Sequence, residues 1–129
     1  MDIEKLSNAD SETIGGPVQE SKAHKKEGIV GGFNDKVITV SEVTFHPGER
    51  TNLHYHTYGQ VLYITSGPGR VGTKDDEHEV EQGDVVFLEP GEVHWHSTGQ
   101  NAESNFSHLV YVIRDEVGKD TIAIEETKE

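Results

Sequence analysis

The amino-acid sequence predicts an all-β protein, a sandwich or a barrel. Three observations carry this. Short runs of β-branched and aromatic residues recur along most of the chain, at Val37–Phe45, Gln60–Thr65, Val85–Leu88 and Phe106–Ile113. Glycine- and proline-containing turns separate them, at residues 46–49, 66–69, 82–84 and 89–92. No segment keeps a helical period over about ten residues or more.

The 129 residues suffice for one domain with a real core and are too few for two. Residues 1–27 read as a polar N-terminal arm, either loose or laid on a neighbouring subunit, and 28–129 as a single β-barrel domain. His24 sits in this arm among Lys22, Lys25 and Lys26 and is expected to be solvated. There are no cysteines, which excludes disulfides, thiolate metal sites and cysteine nucleophiles. No apolar run reaches the length of a membrane span, and the N-terminus lacks a signal-peptide core. A soluble, cytoplasmic protein is expected. The net charge of −13, from 24 acidic against 11 basic residues, would repel phosphate backbones and anionic lipid. Neither nucleic acid nor membrane is an expected partner.

Within the barrel, Val37–Phe45 alternates, with Val37, Thr39, Val43 and Phe45 sharing one side. His46-Pro47-Gly48-Glu49 ends that strand as a turn, with His46 exposed. A short strand around His54-Tyr55-His56 follows, and then the more apolar Gln60–Thr65. Arg70–Glu81 reads as a hairpin with the acidic tip Lys74-Asp75-Asp76-Glu77, which leaves His78 facing solvent. Val85–Leu88 reads as a buried run stopped by Glu89-Pro90-Gly91-Glu92. Val93–Ser97 is a short strand, 98–105 a polar loop, Phe106–Ile113 a long strand and Asp120–Glu125 a last short one.

Chemistry concentrates in two histidine pairs. Side chains two apart on a strand point the same way, so His54 and His56 present two imidazoles to one face while Tyr55 points to the other. The Thr57-Tyr58-Gly59 turn can return Gln60 toward the pair. His94-Trp95-His96 repeats the spacing, with Trp95 turned away. Two such pairs, each after a Pro-Gly turn, are hard to explain as packing alone. Imidazoles with an oxygen donor suit a first-row ion such as Zn, Fe, Mn or Ni. Solvated histidines at a polar barrel mouth are the alternative.

The order Gly48, His54, His56, Gln60, Gly67 resembles the first cupin motif, and Gly83 to His94 looks like the second. The resemblance covers about 37–113 and implies a cupin-type double-stranded β-helix, the jelly-roll barrel, with a metal inside its mouth. By position it implies His54, His56 and His94 as ligands, with Gln60 where most cupins carry glutamate. A neutral amide leaves more of the ion's charge uncompensated, which favours an anionic ligand or an alkoxide.

A narrower resemblance, in Gly59-Gln60, Leu62, Ile64-Thr65, Gly67, Pro90–His96 and His108-Leu109, is to small bacterial manganese cupins that act as hydroxynitrile lyases. It implies one divalent ion, manganese first with Fe, Zn or Ni as alternatives, held by three histidines and a glutamine. It also implies two further pocket histidines, His96 and His108. His108 is a candidate general base and equally a wall histidine bonded to a backbone carbonyl. His96 is a candidate for stabilising a leaving anion and equally for orienting a ligand. The implied reaction is carbon–carbon bond cleavage or formation on a small hydroxy or carbonyl compound. A metal-dependent dioxygenase and a non-enzymatic binding or sensing module are the alternatives. The family also implies a homodimer or homotetramer.

Overall fold

In a computed structural model the structure is described for residues 36–99 and 102–114 without a break, for 11–14, 23–33 and 121–123, and for residues 3, 5 and 10. The strands are β1 (Glu12–Ile14), β2 (Ala23–Phe33), β3 (Lys36–Phe45), β4 (His54–His56), β5 (Gln60–Ser66), β6 (Gly69–Gly72), β7 (Glu77–Val80), β8 (Val85–Leu88), β9 (Trp95–Ser97), β10 (Phe106–Arg114) and β11 (Thr121–Ala123). No helix occurs among the described residues, and none is long and apolar enough to cross a membrane.

A six-stranded sheet runs β1-β2-β3-β10-β5-β8, beside a three-stranded sheet β7-β6-β9 and the pair β11-β4. The central seam is β3 against β10, antiparallel from Phe45↔Phe106 to Val37↔Arg114. Alternation on these strands turns Phe45 and Phe106 inward to stack at 5.9 Å. Ile64 joins them from β5, Val71 from β6 and Val80 from β7, so both sheets supply the apolar plug. Burying each phenylalanine contributes about 1.5–3 kcal/mol. Gly69 is needed beneath this plug, because a Cβ there would lie 2.2 Å from the Phe106 ring.

One turn design recurs. In 46–49, 81–84 and 89–92 a glycine at the third position takes φ of 88°, 96° and 82°, which side chains other than glycine resist. In each, the fourth residue's N–H donates to the first residue's carbonyl at 2.9–3.1 Å. The fourth side chain then reaches back: Glu49, Asp84 and Glu92 accept the N–H of His46, Glu81 and Glu89 at 2.8, 2.8 and 3.0 Å.

Three expectations change. β2 runs through the boundary drawn between residues 27 and 28, and pairs with β3 from His24↔Thr44 to Phe33↔Lys36. Part of the arm therefore completes the sheet of its own chain, covering the backbone groups β3 would otherwise expose. His24 is accordingly half-buried, its ring stacked 3.9 Å from that of His46. Val85–Leu88 is not buried throughout. β8 is an edge strand whose outer face is uncovered, so Leu88 points in while Val85 and Phe87 are 64% and 61% exposed. The closing strand was expected over 120–125; it is described as Thr121–Ala123, and the flanking positions lie outside the described residues.

Candidate metal centre

Backbone pairing brings the two histidine pairs together. His54 and His94 form an antiparallel bridge, each donating its N–H to the other's carbonyl at 3.0 and 2.9 Å. Gly91 N–H donates to His56 O at 2.8 Å, tying the 89–92 turn to β4. Alternation points His54 and His56 to one side as expected, and both are buried. The rings of His54 and His94 stand 4.3 Å apart, with His56 5.1 Å from His54 and 5.3 Å from His94. One ring nitrogen from each of the three lies within 4.8 Å of the others.

Local chemistry orients two of these rings in the same way. His54 Nδ1 lies 2.7 Å from Asn52 O, and His94 Nδ1 lies 2.9 Å from Glu92 O. A carbonyl only accepts, so each Nδ1 carries the proton and each Nε2 keeps a lone pair. Nε2 of His94 is buried and has no hydrogen-bond partner, and the same holds for Oε1 of Gln60. Gln60 opens β5 and is buried, on the same face as Leu62 and Ile64. Buried acceptors without donors are rare and costly, and a cation or an ordered water would satisfy them. The donor set of imidazole nitrogens and an amide oxygen suits a divalent first-row ion.

His96 and His108 extend the cluster toward the apolar plug. His96 is 4.9 Å from His94 and 5.2 Å from His108, ring to ring. Its N–H donates to Thr51 Oγ1 at 3.0 Å, and Thr51 N–H donates to His96 O at 2.9 Å. His108 packs against Phe45 at 6.0 Å and Phe106 at 5.4 Å. Neither ring nitrogen of His108, nor Nδ1 of His96, makes a hydrogen bond. No well-aligned hydrogen bond ties the His108 ring to a backbone carbonyl, while its own main chain lies near enough to favour its charged form.

Burial keeps the cluster neutral. It is the main cause lowering His54 from 6.5 to about 4, with His94 adding to it and Asn52 O opposing. Burial also lowers His94, against the pull of Glu92 O. His96 is driven well below the ordinary range by burial first and then by His94, His108, His54 and His56. His108 falls to about 4 through burial and then His94, while its own main chain opposes the shift without a well-aligned hydrogen bond. At neutral pH each of these four imidazoles is uncharged, as metal ligation and proton acceptance both require.

All six predicted positions, His54, His56, Gln60, His94, His96 and His108, are thus buried, and ring contacts join the five histidines. Tyr58, an aromatic for which packing is the sequence expectation, stacks 5.1 Å from His56. One contributor has no signal in the sequence: Thr51 is 2% exposed and clamps His96, and nothing local marks it. Trp95 turns away as predicted, donating Nε1–H to Thr73 O at 3.0 Å and lying under the Arg50 guanidinium at 5.2 Å. It lines a separate cavity of about 370 Å³ with Arg50, Arg70 and Lys74, which contains none of the histidines.

The chain is 43% identical over 74 residues to an (R)-mandelonitrile lyase from Granulicella tundricola, a match spanning 57% of this chain and 55% of that protein. Its structure is similar to the polyketide cyclase RemF from Streptomyces resistomycificus, with a TM-score of 0.80 at 20% identity, covering 98% of this chain and 89% of that one. It is also similar to a cupin-like protein from Thermotoga maritima, with a TM-score of 0.69 at 27% identity over 96% of this chain and 89% of that one. The family model of the cupin domain matches residues 41–110, which hold every histidine of the cluster, and the chain belongs to the cupin family.

Proposed function

We propose that this cupin is a mononuclear metal enzyme that cleaves or forms a carbon–carbon bond beside a hydroxyl group. Its substrate would be a small hydroxynitrile, or the aldehyde and cyanide that make one. The carrying observation is the set of unsatisfied buried polar atoms facing one interior: Gln60 Oε1, His94 Nε2, His96 Nδ1 and both ring nitrogens of His108. A neutral imidazole carries one N–H donor and one lone-pair acceptor, so His108 buries both without a partner, and a polar occupant would satisfy them. The similarity to a mandelonitrile lyase supports the choice of substrate class.

His54, His56, His94 and Gln60 would hold the ion, manganese before iron, zinc or nickel, and it would supply Lewis acidity toward the substrate oxygen. His108, neutral because it is buried, accepts the hydroxyl proton of the hydroxynitrile. The carbon–carbon bond breaks with its electron pair leaving on cyanide, and the oxygen lone pair closes the carbonyl. His96 donates a hydrogen bond to the departing anion. The imidazolium at His108 is disfavoured by the same burial, so it returns the proton to cyanide. The products are aldehyde and hydrogen cyanide, and both histidines end neutral.

The test is elemental analysis of the purified protein, followed by aldehyde release from mandelonitrile for the parent, His96→Ala and His108→Ala. We expect near-stoichiometric manganese or iron. Loss of His108 should lower kcat by about a hundredfold or more, with substrate affinity retained. Turnover unchanged in both variants sinks their catalytic roles. No bound metal, and none taken up from Mn, Fe, Zn or Ni, sinks the enzyme. Oxygen consumption in place of aldehyde release would mean a dioxygenase, and binding without turnover a sensing module.

For quaternary structure we propose a homodimer joined through the outer face of β10-β5-β8. Tyr63, Val85, Phe87, Tyr111 and Ile113 are exposed there, and Tyr63 pairs directly with Val85 and with Leu109. A sheet face of this kind pairs readily with its own copy about a two-fold axis.

A further inference from the structure

The geometry points to a second divalent-cation site on the outside of the barrel, formed by His24, His46 and Glu49, which would pin β2 to the turn after β3. None of these residues belongs to the interior cluster. His24 comes from β2, in register with Thr44. His46 and Glu49 are the first and fourth residues of the turn that ends β3. One ligand atom from each of the three lies within 4.8 Å of the other two.

The site is built. Glu49 Oε1 accepts the His46 N–H at 2.8 Å, which fixes the carboxylate. Thr98 Oγ1 donates to His46 O at 2.5 Å and holds the turn from the far side. His24 Nε2 is sealed from solvent without a hydrogen bond, 3.4 Å from Glu49 Oε1. The turns at 81–84 and 89–92 use the same carboxylate device. Neither contributes to a group of three converging ligands among the described residues. At 46–49 the device has acquired one histidine at its first position and another from the neighbouring strand.

Two imidazoles and a carboxylate are a donor set for Zn²⁺, Co²⁺, Ni²⁺ or Cu²⁺ rather than for Mg²⁺ or Ca²⁺. With three protein ligands and His46 exposed, the remaining position falls to water. Such an ion would cross-link the N-terminal strand to the barrel, since a metal contributes to folding whatever its ligands bring together.

Calorimetric titration of the full chain with Zn²⁺ tests this, comparing the parent with His46→Ala, His24→Ala and Glu49→Gln. His46 is exposed, and the glutamine keeps the turn's acceptor, so both variants should fold; far-UV circular dichroism checks it. Relative to the parent, His46→Ala and His24→Ala should each lose one equivalent of Zn²⁺. Glu49→Gln should weaken that equivalent by about tenfold or more, since losing even an outer partner of a ligand costs that much. Zn²⁺ should raise the melting temperature of His54→Ala, which lacks an interior ligand, and should raise it less once His46→Ala is added. The readout is a difference between variants, so it stands whether or not the interior cluster binds. Stoichiometry and affinity unchanged in His46→Ala and Glu49→Gln overturn the site.

Discussion

His54 and His94, far apart in sequence, exchange both backbone hydrogen bonds, at 3.0 and 2.9 Å. In an antiparallel pair of that type the Cα atoms are about 5.5 Å apart, and here the rings meet at 4.3 Å. The two motifs therefore converge through main chain and not through flexible side chains. Each ring is then turned by the carbonyl two residues before it, Asn52 O for His54 and Glu92 O for His94. Position comes from the bridge and tautomer from the loop, before any ion arrives.

Removing either imidazole should accordingly abolish loading of the interior site without dismantling the strand pairing. His54→Ala and His94→Ala are expected to purify without the interior ion. Manganese at a hundredfold excess over its dissociation constant should stabilise the parent by about 2.7 kcal/mol and leave these variants where they started. His78→Ala, at an exposed position on β7, should match the parent. Elemental analysis beside melting curves checks this.

The barrel and the direction of the two histidine pairs were legible in the sequence because alternation and turn chemistry are local. His54, Tyr55 and His56 need only a strand to face as they do. Val85–Leu88 was not legible, since four consecutive apolar residues look alike whether one face or two are covered. The difference is that β8 is an edge. His24 misled for a similar reason: its sequence neighbours are lysines, but its spatial neighbours are His46 and Glu49. The bond between Thr51 and His96 depends on tertiary register alone.

Acid should destabilise the metal-free protein well before its carboxylates titrate. Above about pH 6.5 the buried and unfolded forms of His54 and His108 are both neutral, and these groups contribute no slope. Between 6.5 and about 4 the unfolded chain takes up protons that the folded one refuses, so stability falls as pH falls. The slope is on the order of 1 kcal/mol per pH unit for each group. Denaturant melts of the stripped protein between pH 7 and 4 measure it. His108→Phe should flatten part of the curve, and an unchanged curve would contradict a neutral buried His108.

Gly69→Ala tests the apolar plug. The new methyl would lie 2.2 Å from the Phe106 ring, and Phe106, fully buried and stacked on Phe45, has little room to retreat. Overpacking of this kind costs about 1–3 kcal/mol. The same substitution at Gly31 meets no atom within 4 Å and should cost far less. Chemical denaturation of the two variants in parallel decides it.

The outer sheet face predicts the oligomer. Phe87→Lys places a charge at a 61% exposed position, where it disturbs no core contact but must be desolvated if two copies meet. The parent should elute as a dimer and the variant as a monomer with a similar far-UV spectrum. A monomeric parent would remove the proposed interface.

The 89–92 turn should control metal affinity without supplying a ligand. Glu92 does two jobs: its carboxylate accepts Glu89 N–H at 3.0 Å, closing the turn, and its carbonyl orients His94 Nδ1 at 2.9 Å. Gly91 N–H anchors the same turn to His56 O. Glu92→Ala removes the closing acceptor, costs about 1 kcal/mol of stability and lets the carbonyl drift from the His94 ring. Loss of such an outer partner should weaken metal binding by about tenfold to a hundredfold. Glu92→Gln keeps an oxygen in the same place and should restore most of the affinity, although it removes a negative charge as fully as alanine does. Competition titrations against a chelator separate the two explanations. If glutamine binds as weakly as alanine, the carboxylate acts through its charge, and the turn is not what holds His94 in place.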